Sequence, residues 1–227
     1  MNICTIITEN WIETHLERWV RYIRKNTKDA KLYLFLMCGK VPNNPILGEF
    51  EKVETYDPKL FGRQWLNTVR MDACKTFGLD EVLYIDADAD VLEDISGIPE
   101  IVKGNLACVR SPVMHQPWTR WLAEQGKGGV GQVEYNNGLI YMRGNFTEQY
   151  ALAWEAADKY DWVPDRIKGT IAFNIMLMDT PFDTLGAEYG TIWWDADKCI
   201  NAKLIQYCNS EGQKKRVMLE QVWRNAL

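Results

Sequence analysis

Three aspartates, Asp86, Asp88 and Asp90, stand at every second position directly after the apolar run Val82-Leu83-Tyr84-Ile85. The run is rich in β-forming residues and predicts a buried strand. Ligands of open α/β sheets bind outside the carboxyl ends of strands, which is where these carboxylates fall. Two carboxylates one residue apart can hold one divalent cation, because hard cations prefer oxygen ligands. The pattern therefore predicts a site for Mn²⁺ or Mg²⁺ that could in turn hold a diphosphate.

Other proteins use similar acidic runs, which gives three alternatives to this metal site. An EF-hand loop needs Gly at its sixth position and Glu at its twelfth, and counting from Asp86 these positions hold Val91 and Gly97, which excludes it. A haloacid-dehalogenase-type phosphatase also places D-x-D after an apolar strand, but it usually continues with Gly-Thr, where this chain has Ala89-Asp90. A solvated acidic turn after a core strand stays open as well. In all cases we expect Asp90 to cap a turn or point to solvent rather than bind the cation.

Strands and helices alternate along the chain, which predicts crossover connections and a largely parallel sheet. Predicted strands cover residues 2–7, 31–37, 50–55, 82–85, 106–109, 139–142, 191–194 and 203–207. Predicted helices cover residues 11–24, capped by Asn10, then 61–77, ended by Gly78, and 146–160, 170–178 and 217–226. Residues 111–131, with two prolines and many glycines, predict a mobile loop or lid, and residues 210–216 a polar loop.

The composition fits one globular α/β domain spanning residues 1–227, with 47% hydrophobic and 25% charged residues. The net charge of -5 and the lack of a long Lys/Arg run argue against nucleic acid or an anionic membrane as partner. An anionic substrate would have to be held by local groups such as a metal. The sequence shows neither a transmembrane segment nor a signal peptide, and none of its six cysteines forms a C-x-x-C pair, which predicts a cytoplasmic protein with reduced thiols.

The order of these motifs resembles that of nucleotide-sugar glycosyltransferases of the GT-A fold, most nearly glycosyltransferase family 8. The likeness runs from Ile3 to about Arg216 and is weakest at residues 111–131. Its most specific part is Val82 to Asp88, which is similar to the family's V-L-Y-L-D-x-D segment. The resemblance implies one Rossmann-like domain with a mostly parallel central sheet flanked by helices. It also implies a hexosyl- or related transferase that moves a sugar from a nucleotide-diphosphate sugar, most simply a UDP-sugar, to a glycan or other acceptor.

The resemblance also assigns site residues. It gives donor-binding roles to Thr8 and Asn10 in a nucleoside-binding turn, Arg70 on the helix before the D-x-D strand, Asp86 and Ala87, Asn136 and Asn137 in a segment like the family's F-N-x-G, and Lys214. It places the Mn²⁺ or Mg²⁺ ion on Asp86, Asp88 and Gln206. It assigns no catalytic residue: Asp165 and Glu134 are both candidates for the base of an inverting enzyme, and a retaining enzyme would not need one there. His15 and His115 match no role.

The chain departs from the family pattern in two places. Gln206 stands where the family has a histidine metal ligand, which implies a looser metal site with an extra water. Lys168-Gly169-Thr170 stands where the family has an acidic D-Q segment, with Asn174 kept, which implies a different acceptor or stereochemical course. With ten tryptophans in the chain, a catalytically silent sugar-binding module also stays open. Trp118 and Trp121 could stack on a sugar or equally pin the loop to the core.

Overall fold

The computed structural model describes residues 1–57, 59, 63–128, 133–194, 201–208 and 211–218, with only the backbone of residues 63–66. The strands are β1 Asn2–Thr8, β2 Lys31–Met37, β3 Lys52–Tyr56, β4 Glu81–Ile85, β5 Ala89–Val91, β6 Leu106–Arg110, β7 Tyr135–Arg143, β8 Asp183–Leu185, β9 Thr191–Ile192 and β10 Leu204–Gln206. The α-helices are α1 Glu17–Asn26, α2 Arg63–Met71, α3 Ala73–Phe77, α4 Ile98–Ile101, α5 Gln116–Glu124, α6 Thr147–Asp158 and α7 Asp165–Asp179. Residues 211–218 are helical as well.

Seven strands form a central sheet in the order β3-β2-β1-β4-β7-β6-β8. Neighbouring strands are parallel from β3 to β4 and between β6 and β8, whereas β7 is antiparallel to β4 and to β6. A small second sheet, β5-β10-β9, joins the chain that leaves the carboxyl end of β4 to two strands from the C-terminal part of the chain. The predicted α/β fold with a mostly parallel sheet is therefore confirmed, and the two sheets meet where the acidic run lies.

The strand that precedes the acidic run is buried on both faces of the sheet. Val82 and Tyr84 pack with residues of α3, α5, α6 and α7, whereas Leu83 and Ile85 pack with residues of α1. Side chains alternate between the two faces because the strand repeats every two residues. Helices on both sides of a mostly parallel sheet explain why the run is continuously apolar. Burying each of the aliphatic side chains Val82, Leu83 and Ile85 contributes about 1.5–3 kcal/mol to the stability of the fold.

The first two predicted helices exist, but their ends and continuity differ from the prediction. The first opens with a 3₁₀ turn at Glu9–Trp11 and a π-helical turn at Ile12–Leu16 before α1, and the predicted cap, Asn10, lies inside the opening turn. The second is divided at Asp72 into α2 and α3. The Met71 carbonyl, at the end of α2, accepts a hydrogen bond of 3.1 Å from the Phe146 amide at the start of α6. This carbonyl is therefore bonded to a distant part of the chain where the helix is divided. Gly78 ends α3 with φ of 70°, as predicted.

The predicted lid at residues 111–131 was wrong in part, because it contains α5. Pro117, a residue that suggested a loop, occupies the first turn of the helix. Amide groups of the first turn have no hydrogen-bond acceptor within the helix, so proline, which lacks the amide hydrogen, is tolerated there. Trp118 and Trp121 are buried and stack on each other, with ring centroids 5.3 Å apart. The Trp118 indole nitrogen donates to the Val133 carbonyl at 3.2 Å. Both tryptophans therefore belong to the core and do not offer a face to a sugar.

Two further segments differ from the prediction. The strand expected at residues 139–142 begins at Tyr135, so that Asn136, Asn137 and Gly138 are part of β7 rather than a turn before it. The polar loop expected at residues 210–216 is helical from residue 211, and it buries Gly212 and Arg216. The second D-x-D motif, Asp195 and Asp197, and residues 219–226 of the last predicted helix lie outside the described residues.

Among the described residues no helix is long and apolar enough to cross a membrane. Cys4, Cys38, Cys74 and Cys108 are buried free thiols and Cys208 is half-buried and free, in line with the prediction for these five, while Cys199 lies outside the described chain.

Candidate active site

Backbone pairing brings the acidic run next to two segments that are distant in sequence. Ile85 pairs with Leu139 across the antiparallel β4–β7 pair, and the Asp86 amide donates to the Gly138 carbonyl at 2.8 Å. Beyond the turn, Gln206 pairs with Ala89 in the small sheet, and the Tyr207 amide donates to the Asp88 carbonyl at 3.0 Å. Asp86 therefore lies beside the start of β7, and Asp88 lies beside the end of β10.

Gly138 lets these segments meet closely. A β-carbon at position 138 would overlap the Gln206 side-chain nitrogen and lie 2.6 Å from Asp86 Oδ2. No side chain fits there, and the Asp86 carboxylate and the Gln206 amide converge on the space that glycine leaves open. Asn136 orients the amide, because its side-chain nitrogen donates to Gln206 Oε1 while its own Oδ1 accepts from the Gly138 amide at 2.7 Å. The pairing of β6 with β7 also shifts register here, as β-bulges beside functional sites do.

Asp86 is held between a hydroxyl and a guanidinium group. Tyr84 donates its hydroxyl to Asp86 Oδ1 at 2.5 Å, and Arg70 Nη1 lies 3.9 Å from the same oxygen. Arg70 is itself buried, donates to the Asn137 carbonyl at 2.8 Å and lies over the Tyr84 ring. Burial raises the pKa of Asp86, although the Arg70 charge and the Tyr84 hydrogen bond act in the opposite direction. Both neighbours thus fix one oxygen and leave Oδ2 facing Gly138 and Gln206.

Asp88 lacks a direct cationic partner among the described side chains. Its Oδ2 accepts from Gln213 Nε2 at 2.8 Å, whereas its buried Oδ1 has no hydrogen-bond partner. Burial first, and then the nearby Asp86 charge, raise the pKa of Asp88 to about 7, although Arg216 and the Gln213 hydrogen bond act in the opposite direction. A buried carboxylate oxygen without a partner costs free energy, which a bound cation would recover.

These residues fit a divalent cation that is only partly coordinated by the protein. Asp86 and Asp88 supply carboxylate oxygens, whereas the Gln206 atom in the gap at Gly138 is its amide nitrogen. Gln206 would bind the ion through Oε1, which keeps a second lone pair after accepting from Asn136. The described residues contain no cluster of three or more His, Cys, Asp or Glu side chains arranged for a metal. Mg²⁺ in particular is often held by one or two carboxylates, with waters and substrate phosphates completing its shell. The site therefore suits a cation that arrives with, or is completed by, a phosphate ligand.

Two clefts meet at Asp86. The first, of about 470 Å³, is lined among others by Thr8, Trp11, Asn67, Arg70, Asn137 and Asp165. The second, of about 920 Å³, is lined among others by Asp88, His115, Glu134, Asn136, Trp194 and Gln206. Asp86, Asn137, Arg166 and Thr170 line both clefts. A molecule that extends from one cleft to the other crosses the boundary that these four residues form, and Asp88 lies on the side of the second cleft.

The predicted site residues are distributed unevenly over these clefts. Thr8, Arg70, Asp86, Asp88, Asn136, Asn137 and Gln206 line one or both of them. Asn10 lines neither, and its Oδ1 lies 2.6 Å from the Thr8 hydroxyl. The Ala87 side chain is buried, and its carbonyl accepts from Arg216 at 2.7 Å. Lys214 is exposed on the C-terminal helical segment and is not among the residues that line the clefts.

The structure adds Arg166 and Trp194 as site residues that sequence reasoning missed, and it pairs His115, which matched no role, with the candidate base Glu134. Arg166 is an exposed cation that lines both clefts. It stands two positions before Lys168-Gly169-Thr170, the segment that departs from the family pattern, and this was the signal that could have found it. His115 and Glu134 pair across the second cleft, and nothing in their spacing indicates the contact. Trp194 lines the same cleft, with 37% of its surface exposed.

Comparison with known proteins shows the fold. No protein-family model and no curated protein matches the sequence. Among solved structures, the galactosyltransferase LgtC, determined with donor and acceptor sugar analogues, superposes with a TM-score of 0.63 at 11% identity over 100% of both chains. The fold is that of a GT-A glycosyltransferase.

Two other GT-A structures are similar to the chain. Glycosyltransferase GlyE of Streptococcus pneumoniae matches with a TM-score of 0.61 and 15% identity, over 99% of this chain and 63% of GlyE. Mouse xyloside xylosyltransferase 1 matches with a TM-score of 0.59 and 13% identity, over 92% of this chain and 99% of the mouse protein. At these identities the similarity establishes the fold, and the chemistry of the site must be argued from its own residues.

Proposed function

We propose that this protein is a metal-dependent glycosyltransferase that moves a sugar from a nucleotide-diphosphate sugar, most simply a UDP-sugar, to a glycan or other acceptor. Glycosyltransferase family 8 is the class whose sequence pattern it resembles most. One observation carries the proposal: Asp86, Asp88 and Gln206 converge where two clefts meet, and Asp88 has a buried oxygen without a partner. The arrangement suits a donor that bridges the clefts with its diphosphate at the aspartates.

Each part of the site then has a task. Asp86, Asp88 and Gln206 would hold Mn²⁺ or Mg²⁺, and the bound ion supplies Lewis-acid stabilisation of the leaving diphosphate. Thr8 and Trp11 in the first cleft would contact the nucleoside. Arg70 holds Asp86 and the Asn137 backbone in position, and Asn136 orients Gln206. The second, larger cleft would receive the acceptor.

The remaining predicted donor-binding residues, Asn10, Ala87 and Lys214, do not line either cleft. Asn10 and Ala87 would act through their neighbours Thr8 and Asp86, because neither lines a cleft. Lys214 would neutralise phosphate charge only if the bound donor extends to the exposed face of the C-terminal helical segment. Arg166 lines both clefts together with Asp86, whereas Lys214 lines neither, so Arg166 would also neutralise phosphate charge.

The phosphatase interpretation fits this geometry less well. It would use Asp86 as a nucleophile, yet one oxygen of Asp86 accepts from Tyr84 and the other faces Gln206 across Gly138. It would also need a lysine at the carboxylates. Within the part of the chain that the structure describes, the cation that approaches Asp86 is Arg70, and no lysine pairs with Asp86 or Asp88.

The test is release of UDP from UDP-glucose or UDP-galactose in the presence of Mn²⁺. We expect Asp88→Asn to abolish turnover while the protein stays folded, because asparagine keeps the size of the side chain but loses the charge that holds the cation. Asp80→Asn is the matched control, since Asp80 is exposed, lies just before β4 and undergoes the same change. Circular dichroism would confirm that both variants fold.

Three outcomes would contradict the proposal. A folded Asp88→Asn protein that turns over at the wild-type rate would show that the aspartate does not hold the leaving group. A wild-type protein that binds UDP-sugars in calorimetry but never releases UDP would be a silent binding module. Release of phosphate from an aryl phosphate, lost in Asp86→Asn, would indicate the phosphatase chemistry.

A further inference from the structure

We propose that His115, oriented by the buried Glu134, is the base that accepts the proton of the acceptor hydroxyl in the second cleft. The inference rests on the proposed function, because it names the group that activates the acceptor of that reaction. It concerns a pair of residues that no sequence motif connects, and it is carried by the contacts between them.

Glu134 holds His115 at two points. Glu134 Oε2 accepts from the His115 backbone amide at 2.7 Å, and Glu134 Oε1 lies 2.6 Å from His115 Nδ1. Only 1% of the Glu134 side-chain surface is exposed, whereas 42% of the His115 side chain is exposed. His115 stands at the residue before α5 and Glu134 at the residue before β7, so each is fixed at the end of a regular element. The carboxylate is thus buried behind the ring, and the ring faces outward.

This geometry determines which nitrogen can act. With Nδ1–H donating to Glu134, the neutral ring presents Nε2 as an unprotonated nitrogen. In the described part of the chain, Nε2 has no hydrogen-bond partner. The ring lines the second cleft together with Asp86 and Asp88, which hold the donor end of the reaction in the proposed function. A buried carboxylate that orients an imidazole and stabilises its protonated form is the arrangement that makes a histidine an effective base.

Other candidate bases are less suitable. Both oxygens of Glu134 are already used by His115. Asp165 lines the first cleft rather than the second, is 77% exposed at its side chain and lies 3.4 Å from Lys168, so it is paired and outside the acceptor cleft. Both ring nitrogens of His15 are engaged, by Thr14 and by Gln213. His115 is therefore the described side chain that combines a free basic nitrogen, a fixed orientation and a place in the acceptor cleft.

The proton and the electrons balance in a single displacement, which inverts the configuration of the anomeric carbon. The acceptor hydroxyl gives its proton to His115 Nε2 as its oxygen forms a bond to the anomeric carbon of the donor sugar. The bond between that carbon and the diphosphate oxygen breaks, and its electron pair leaves with the diphosphate. The resulting imidazolium is stabilised by the Glu134 carboxylate, and it returns its proton to solvent through the exposed edge of the ring.

The charges around the ring give the base a recognisable pH dependence. The Glu134 hydrogen bond and charge raise the pKa of His115 above its ordinary value, while partial burial and the positive charge of Arg166 oppose this. The other titratable groups that line the cleft are Asp86, Asp88 and Cys208. A base works when it is deprotonated, so kcat/KM should fall as the pH drops through the pKa of His115. Removing the Glu134 charge should move this acidic limb to lower pH, and removing the Arg166 charge should move it to higher pH.

The orientation of the ring can be tested without any substrate. The chain has only two histidines, so tag-free protein labelled with ¹⁵N-histidine gives two imidazole signals, and His115→Gln assigns them. We expect His115 to be protonated at Nδ1 in its neutral form and to titrate above the ordinary histidine range. We expect His15 to carry its proton on Nε2, which bonds to Gln213 Oε1. A neutral His115 protonated at Nε2 would overturn the proposal.

The catalytic role is tested by UDP release from UDP-glucose and UDP-galactose with methyl glycosides of glucose and galactose as acceptors. We expect His115→Gln to lower kcat by about 100-fold or more, with Mn²⁺-dependent donor binding unchanged in calorimetry. Met114→Gln is the matched control, because this exposed neighbour receives the same new side chain and should keep the wild-type rate. Glu134→Gln and Arg166→Gln should shift the acidic limb in opposite directions.

The outcomes separate this inference from the proposed function. If wild type releases UDP and His115→Gln is equally fast, the base is not His115 and the transferase proposal stands. If His115→Gln is slow but neither Glu134→Gln nor Arg166→Gln moves the acidic limb, His115 has only a structural role. If Glu134→Gln does not fold, the Arg166→Gln profile decides. If wild type turns over no donor, the proposed function fails, and with it the role of His115 as a base.

Discussion

Asp90, the third aspartate of the acidic run, is held from two sides by buried guanidinium groups. Arg18 Nη2 lies 2.6 Å from Asp90 Oδ2, and Arg216 Nη2 lies 3.0 Å from Asp90 Oδ1. Arg216 also donates to the carbonyls of Ala87 and Ala89. The expectation that Asp90 caps a turn or points to solvent was therefore wrong. The cluster fixes the backbone on both sides of Asp88, so this aspartate supports the site without belonging to it.

We expect Asp90→Asn to destabilise the protein strongly, because it leaves two buried guanidinium groups without their counter-charge. Breaking a buried ion pair by removing one partner costs on the order of 3–5 kcal/mol. Urea unfolding followed by tryptophan fluorescence measures the change in the free energy of unfolding. Asp80→Asn, at an exposed site, should stay within about 0.5 kcal/mol of wild type. An Asp90→Asn protein as stable as this control would show that the cluster does not carry the charge described.

Gln206 offers a second test at the residue scale. We expect Gln206→His to bind Mn²⁺ more tightly than wild type, because imidazole is a better ligand than an amide oxygen for this class of ion. The side chain is buried beside Asp86, so a histidine there could reach the cation. Metal affinity is measured by calorimetry, with the unfolding midpoint of the metal-free variant as a control for packing. Unchanged or weaker affinity in a normally folded variant would place residue 206 outside the metal shell.

At the scale of elements, the tryptophans of α5 belong to the core, whereas Trp194 belongs to the candidate site. Trp118 and Trp121 stack on each other on the buried face of α5. Trp194 follows β9 in the chain and lines the second cleft. A large aromatic residue contributes to stability when it is buried and can contribute to recognition when one face stays accessible. We therefore expect the tryptophans of α5 to contribute to stability and Trp194 to contribute to recognition of the acceptor.

We expect Trp121→Ala to lower the free energy of unfolding by about 3–5 kcal/mol, the usual cost of emptying a buried tryptophan site. Trp194→Ala should change stability much less and should raise the KM for the acceptor without changing donor binding. Urea unfolding, calorimetry with a UDP-sugar and acceptor titrations measure these quantities on the same two variants. A Trp194→Ala protein with the wild-type KM for the acceptor would show that Trp194 does not contribute to acceptor binding.

At the scale of the whole molecule, the net charge of -5 makes the chain a poor binder of a diphosphate unless a cation intervenes. Asp86 and Asp88 would repel the phosphates directly, while Arg70 is already engaged by Asn137 and lies 3.9 Å from Asp86. The cation is therefore expected to be required for binding as well as for catalysis.

We predict that a UDP-sugar raises the melting temperature only when Mn²⁺ or Mg²⁺ is present. Ligand at 100 times its dissociation constant stabilises the folded state by about 2.7 kcal/mol, a shift that thermal unfolding detects readily. The measurement compares a panel of UDP-sugars with Mn²⁺, with Mg²⁺ and with EDTA. Stabilisation that persists in EDTA would contradict the metal bridge.

The sequence by itself determined the parts of this protein that depend on local pattern. The apolar run at residues 82–85 predicted a strand that helices cover on both faces, because a strand buried on both sides must be apolar at every position. Gly78 predicted the end of α3, because a left-handed residue is favoured there by the backbone alone. The alternation of elements predicted the α/β fold, and the acidic run together with the family resemblance predicted where a cation would lie.

Tertiary structure decided what depends on partners distant in the chain. Asp90 appeared to be a solvated residue because Arg18 and Arg216 are distant from it in sequence, and a buried charge is tolerated only when such partners meet it. α5 appeared to be a loop because its proline and tryptophans signal packing only once the core beneath them exists. His115 and Glu134 come together only when α5 and β7 are placed side by side. Tertiary contacts of this kind, which local pattern does not encode, brought the proposed base into the same cleft as the paired aspartates.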